Sequence, residues 1–150
     1  MQRVTSHISF HFKNVSFFLP KRKLLKAHIL KLFLKEKTIL NTLNIVFCED
    51  EYLLTLNKSY LRHNSLTDVI TFNLSSKQSP IEGEIYISVD RVRDNANHFN
   101  RSFRNELMRV VFHGALHLCG YKDKNKRDKA IMTQKEDFYL QTYQNVPRGT

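Results

Sequence analysis

The chain has 150 residues, 41% of them hydrophobic and 25% charged, an ordinary globular composition with room for a single core. Its longest apolar runs, such as residues 15–19, fall far short of the roughly 20 residues a membrane span needs, and the N-terminus lacks the pattern of a secretory signal. Lys and Arg number 24 against 14 acidic residues, a net charge of +10 that attracts polyanions such as nucleic acid or an anionic membrane surface, or simply makes a basic, well-solvated exterior.

Gly and Pro are scarce, at 4 and 3, and no linker, repeat or low-complexity segment divides the sequence, so one domain over residues 1–150 is expected. Cys48 and Cys119 are the only cysteines, too few for a disulfide framework, which points to the cytoplasm.

Residues 4–12 alternate, with Ile8, Phe10 and Phe12 on one face, and predict a strand. Pro20 stands where a first-turn proline would, ahead of Leu24, Leu25, Ile29, Leu32 and Phe33 at helical spacing. The opposite face of that helix carries Lys21, Arg22, Lys23, Lys26, Lys31 and Lys35. A second strand spans residues 42–48, and a helix over 49–61 is expected to bury Leu53, Leu56 and Tyr60. Residues 68–74 and 81–89 are β-branched and aromatic, hence strands, joined by a hairpin or a short crossover.

From Asp90 the pattern is helical, with a break at residues 97–100. A long helix follows from Ser102, a candidate N-cap, to Leu118, with Gly120 placed to stop it. A last helix covers residues 127–143. The expected fold is α+β: one mixed four-stranded sheet with about five helices.

Chemistry concentrates at the end of the long helix. His113 and His117, four apart, lie one turn above each other on a single face and can grip one metal ion. The stop at Gly120 lets the chain swing back, so that Asp123 can supply a third ligand. Three protein ligands leave a position open for water, the arrangement of a catalytic rather than a structural zinc site. The bland alternative is two satisfied histidines and a solvated Asp. The anionic Asp123 would make the ion a weaker Lewis acid than a third neutral histidine, and would widen metal choice beyond zinc. Glu106, Arg109, His113 and His117 form one polar stripe. Leu107, Val110, Val111, Gly114 and Leu118 form the apolar stripe that seats the helix, with Gly114 permitting close approach. Cys119 reads as a small buried residue more readily than as a thiolate ligand.

Zinc peptidases share the His-x3-His spacing but carry their general base, a glutamate, directly after the first histidine. Here that position is Gly114, which cannot take a proton. Together with the positive charge, this favours a phosphodiester substrate over a peptide.

The stretch HGALHLCGYKD, residues 113–123, resembles the signature HGxLHLxGYDH of the YbeY endoribonucleases, which are ribosomal RNA maturation factors. Upstream, LNKSYLRHNSLTDVITF resembles that family's LNxxYR…TDVLSF segment, and EGEIYIS resembles its GDIxIS strand. The resemblance implies a zinc-dependent endoribonuclease, single-strand-specific, acting in 16S rRNA 3′-end maturation and ribosome quality control on the small ribosomal subunit. It places His113 and His117 on the family's first two metal histidines, and the third histidine on Asp123. The family's arginine after Tyr60 falls on Leu61, with Arg62 beside it as a stand-in for substrate handling.

The expected site therefore has His113, His117 and Asp123 as metal ligands. Arg62 and Glu106 join the two histidines as catalytic candidates, Glu106 as support or proton carrier. Arg62, Arg104, Arg109, Lys122 and Lys124 would bind the RNA backbone. Thr67, Asp68 and Thr71 either orient a phosphate, support the metal or form an ordinary turn and strand. His63 reads as an exposed loop residue. Tyr60, Phe72 and Tyr86 could stack bases, although such aromatics are usually core. Rivals of other classes are a non-catalytic ribosome- or RNA-binding factor with a structural metal, and a metallopeptidase.

Overall fold

A computed structural model describes residues 6–60 and 67–145. Strands β1 (His7–Lys13), β2 (Leu40–Cys48), β3 (Val69–Asn73) and β4 (Ile81–Ser88) form one sheet in the order β1-β2-β4-β3. β1 and β4 run parallel to β2, and β3 returns antiparallel to β4 as a hairpin. The helices are α1 (Arg22–Lys35), α2 (Asp50–Tyr60), α3 (Val89–His98), α4 (Phe103–Leu118) and α5 (Lys126–Gln144). The mixed α+β architecture read from the sequence is the one observed.

Side-chain alternation divides the sheet into two faces. One carries Ile8 of β1, Leu43, Ile45 and Phe47 of β2, and Ile85 and Ile87 of β4, all in the main core with the buried stripes of α1, α4 and α5. The other face carries a smaller cluster, where Leu53 of α2 packs with Cys48 and Ile70 of the sheet. α4 approaches the sheet closely because glycines stand at the contact. A Cβ on Gly114 would lie 2.8 Å from Ile85 Cγ2, and one on Gly83 of β4 would lie 2.6 Å from Leu118 Cδ1. Each glycine thus makes room for a branched side chain of the opposing element, and the helix settles into the sheet.

The caps follow the sequence. Ser88, Ser102 and Asn125 accept from Arg91 N–H, Asn105 N–H and Asp128 N–H at the starts of α3, α4 and α5. α4 ends at Gly120, whose φ of 102° suits only glycine. Gly120 N–H bonds His117 O at 3.0 Å and Tyr121 N–H bonds Leu116 O at 3.1 Å, the paired bonds of a Schellman turn.

Two expectations need correction. Pro20 is not the first residue of α1: Lys21 intervenes in left-handed conformation, φ 54°, and the helix starts at Arg22. Pro20 instead helps to line an apolar groove beside Phe18 and Tyr143. Tyr60 is not on the buried face of α2. It is 69% exposed, its ring meeting only the edge of the cluster through Phe72 of β3.

Candidate metal centre

Three elements bring the site together. α4 presents His113 and His117 from its last turns, with ring centroids 4.5 Å apart and nearly perpendicular. The Schellman turn reverses the chain and returns Asp123 to the same place. Asp123 Oδ2 lies 3.3 Å from His113 Nε2 and 3.5 Å from His117 Nε2. The start of β3 forms the far wall: Thr67, Asp68, Val69, Ile70 and Thr71 line, with the three side chains above, a cleft of about 300 Å³.

The donor set fits a divalent metal on three counts. Two ligand atoms each about 2.0–2.1 Å from a zinc ion at tetrahedral angles stand about 3.3–3.4 Å apart, close to the 3.3 and 3.5 Å that separate Asp123 Oδ2 from the two imidazoles. All three donor atoms lie within 4.8 Å of one another. Both imidazoles also have the other ring nitrogen engaged: His113 Nδ1 meets Glu136 Oε2 at 2.5 Å, and His117 Nδ1 meets the Tyr121 carbonyl at 2.8 Å. A carboxylate and a carbonyl are acceptors, so each Nδ1 carries the proton and each Nε2 turns a lone pair into the cleft. That is the outer-shell pattern of metal-bound histidine.

The electrostatics are those of a site enclosed on the helix side and open on the Asp123 side. Burial opposes charge on His113, but Glu136, Asp123 and Asp68 outweigh it and hold its pKa above the ordinary imidazole value. Burial pushes the Asp68 carboxyl above the usual carboxylate range, with His113 pulling the other way. Asp68 also accepts from Asn95 Nδ2 at 3.2 Å, so α3 braces the wall of the cleft. Cys119 stands outside the donor cluster, its thiol pushed up to about 11 by burial, as suits a packed residue rather than a thiolate.

The remaining candidates divide by position. Thr67, Asp68 and Thr71 line the cleft. Lys122 and Lys124 are exposed on either side of Asp123. Glu106 is buried in the first turn of α4 and pairs with Arg101 at 2.9 Å, away from the cleft lining. Arg109 faces α5, where it reaches Glu136 at 3.3 Å and Asp137 at 2.8 Å. Arg104 is exposed and lines the apolar groove at the other end of α4. Tyr60, Phe72 and Tyr86 form an edge-to-face ladder, with successive centroids 5.8 Å apart. Arg62 and His63 lie outside the described residues.

Glu136 and the Tyr121 carbonyl were not singled out from sequence. A signal for Glu136 existed: it falls on the buried stripe of α5 with Met132, Tyr139 and Leu140, where an unpaired carboxylate would be costly. The Tyr121 contribution is a backbone atom, and no side-chain pattern reports it.

A mixed sheet carrying a three-donor site at the C-terminal end of a core helix defines the class: a single α+β domain built around a candidate metal centre. Comparison with known proteins narrows it. The profile of the family Endoribonuclease YbeY matches residues 6–144, and the chain belongs to that family. It is 43% identical to the Endoribonuclease YbeY of Cytophaga hutchinsonii over 133 residues, 89% of this chain and 93% of that protein. It is 41% identical to the corresponding protein of Amoebophilus asiaticus over 135 residues, 90% and 92% of the two chains. The solution structure of TM1509 from Thermotoga maritima superposes with a TM-score of 0.58 at 26% identity, over 94% of this chain and 99% of that one. The family is one of endoribonucleases, enzymes that cleave RNA. Among the described residues no helix is long and apolar enough to cross a membrane.

Proposed function

We propose that this chain is a metal-dependent, single-strand-specific endoribonuclease in which His113, His117 and Asp123 hold one zinc ion, and that it acts in the cytoplasm on the small ribosomal subunit in 16S rRNA 3′-end maturation and ribosome quality control. The observation that carries the reading is the convergence of three donor atoms, with both histidines locked in the ligating tautomer by Glu136 and Tyr121. The ribosomal setting rests on family membership and on the strongly basic chain.

Each residue has a defined task. His113 and His117 offer neutral Nε2 donors, and Asp123 adds a negative charge that lowers the net charge of the occupied site. A bound divalent ion supplies an acidified water and a Lewis acid for a phosphoryl oxygen. Asp68, its carboxyl pushed above the usual carboxylate range by burial, stands across the cleft where it can pass a proton to or from a group bound there. The Thr67 and Thr71 hydroxyls offer hydrogen bonds to phosphate oxygens at the same wall. Lys122 and Lys124 flank Asp123 and hold the RNA backbone at the mouth; Arg62 and Arg104 are assigned to further phosphates of the bound RNA. Glu106 and Arg109 serve from behind, Glu106 by anchoring Arg101 and Arg109 by holding Glu136.

The test is metal content and RNA cleavage of wild type beside His117→Ala, Asp123→Ala and His113→Ala, all purified without chelators. One ion per chain in the wild type, lost with cleavage in all three variants, supports the reading. RNA affinity that persists in a folded His113→Ala variant, with no cleavage by the wild type, would make the protein a binding factor instead.

A further inference from the structure

Glu36 ends α1, remote in sequence from the metal segment, yet its side chain is only 8% exposed. Its carboxylate gathers three donors. Oε1 accepts from the Tyr121 hydroxyl at 2.5 Å, and Oε2 accepts from Lys135 Nζ at 3.2 Å and from the Tyr139 hydroxyl. These donors sit on the two elements that orient the imidazoles. Tyr121 is the residue whose carbonyl holds His117 Nδ1, and Lys135 precedes Glu136, which holds His113 Nδ1. Tyr121 is fixed at both ends, by its N–H on Leu116 O inside the Schellman turn and by its hydroxyl on Glu36. The carbonyl branches from the Cα that lies between these two anchors, so tethering the N–H and the hydroxyl restricts how far it can swing.

We propose that Glu36 is a positioning residue of the metal centre, acting through Tyr121 to fix the His117 ring. The inference rests on the metal-binding reading above and assigns to it a buried carboxylate that touches neither ligand nor cleft. Removing the Tyr121 hydroxyl leaves the backbone turn and the Lys135–ring contact, 5.6 Å from Nζ to centroid, and severs the ties of the hydroxyl to Glu36 and Lys135. The His117 carbonyl partner then gains freedom, and the imidazole samples its other tautomer, which has no lone pair on Nε2.

The experiment compares wild type, Tyr121→Phe, Glu36→Gln and a control, Ile29→Val, which trims the core of α1 without touching these hydrogen bonds. Zinc affinity is read by chelator competition, the His117 tautomer by nitrogen NMR of the metal-free protein, and stability by thermal melting. Tyr121→Phe and Glu36→Gln are expected to weaken zinc binding by about tenfold, the low end for loss of an outer partner, and to mix the His117 tautomers. Ile29→Val lowers the melting temperature and leaves affinity and tautomer unchanged. Wild-type affinity and a single His117 tautomer in Tyr121→Phe and Glu36→Gln would overturn the proposal and reduce Glu36 to a fold tie. A wild type that takes up no zinc overturns the metal reading itself, and this proposal with it, whatever the variants do.

Discussion

Glu136 of α5 bridges His113 and Arg109: one carboxylate oxygen meets His113 Nδ1 at 2.5 Å, and the other accepts from Arg109 at 3.3 Å. The two residues it joins lie one helical turn apart on α4, so a single buried side chain of the last helix sets the ring angle of the first ligand. Glu136→Ala is expected to weaken metal binding by about 10–100-fold, the range for loss of an outer-shell partner, and Glu136→Gln by less, since the amide oxygen still accepts. Chelator competition above the imidazole titration range measures both. Equal affinity in all three proteins would remove Glu136 from the site.

Gly114 lies where α4 packs closely on Ile85 of the sheet. A methyl group there would meet Ile85 Cγ2 at 2.8 Å and Cδ1 at 3.0 Å, and Ile85 is itself fully buried. Gly114→Ala gains about 1 kcal/mol of helix propensity but overpacks the core at about 1–3 kcal/mol. The expected outcome of urea unfolding is a net loss of roughly 1 kcal/mol. A stabilised variant would show that Ile85 can turn aside.

Glu36 gives stability a definite dependence on acid. Burial alone would raise its pKa, but the hydrogen bonds from Tyr121, Tyr139 and Lys135 hold it below its ordinary value of 4.5. The unfolded chain therefore binds the proton more readily. The contribution is complete above the unfolded value and is lost as pH falls through the folded one. Unfolding free energies measured from neutrality down to about pH 3 should fall less steeply in Glu36→Gln than in wild type. Parallel curves would mean that folding leaves the proton affinity of this carboxyl unchanged.

Lys122 and Lys124 test the open side of the cleft. If they neutralise phosphates, each removal should make the logarithmic salt dependence of single-stranded RNA affinity shallower by about 0.7. Binding measured with Lys122→Ala and Lys124→Ala over a range of salt decides it. An unchanged slope would place the RNA path elsewhere.

The order of elements and the ligand face of α4 were legible because they rest on local periodicity and on one tight spacing, His113, His117, Gly120, Asp123. What stayed hidden depends on contacts between distant segments. Glu136 and Glu36 both sit on apolar stripes, where a carboxylate must have a partner, but the partners lie 23 and 85 residues away, at His113 and Tyr121. Arg109 looks like an RNA contact from its place on a polar stripe, and its true neighbours appear only when α5 packs. Tyr60 has the right spacing for burial but is exposed, resting on Phe72 at the margin of the smaller cluster. Pro20 has the right position for a helix start, and one left-handed residue displaces it.

The seat of α4 also bears on what this scaffold could become. The helical position after the first histidine is where a peptidase of the same ligand spacing keeps its glutamate. In this fold that position points into the sheet, against Ile85, and not into the cleft. A glutamate substituted there would be buried without a partner and could not reach a bound peptide. No single replacement at residue 114 opens a path from nuclease to protease: the helix would first have to rotate or lift, and Gly83 with Leu118 holds it down as firmly as Gly114 does.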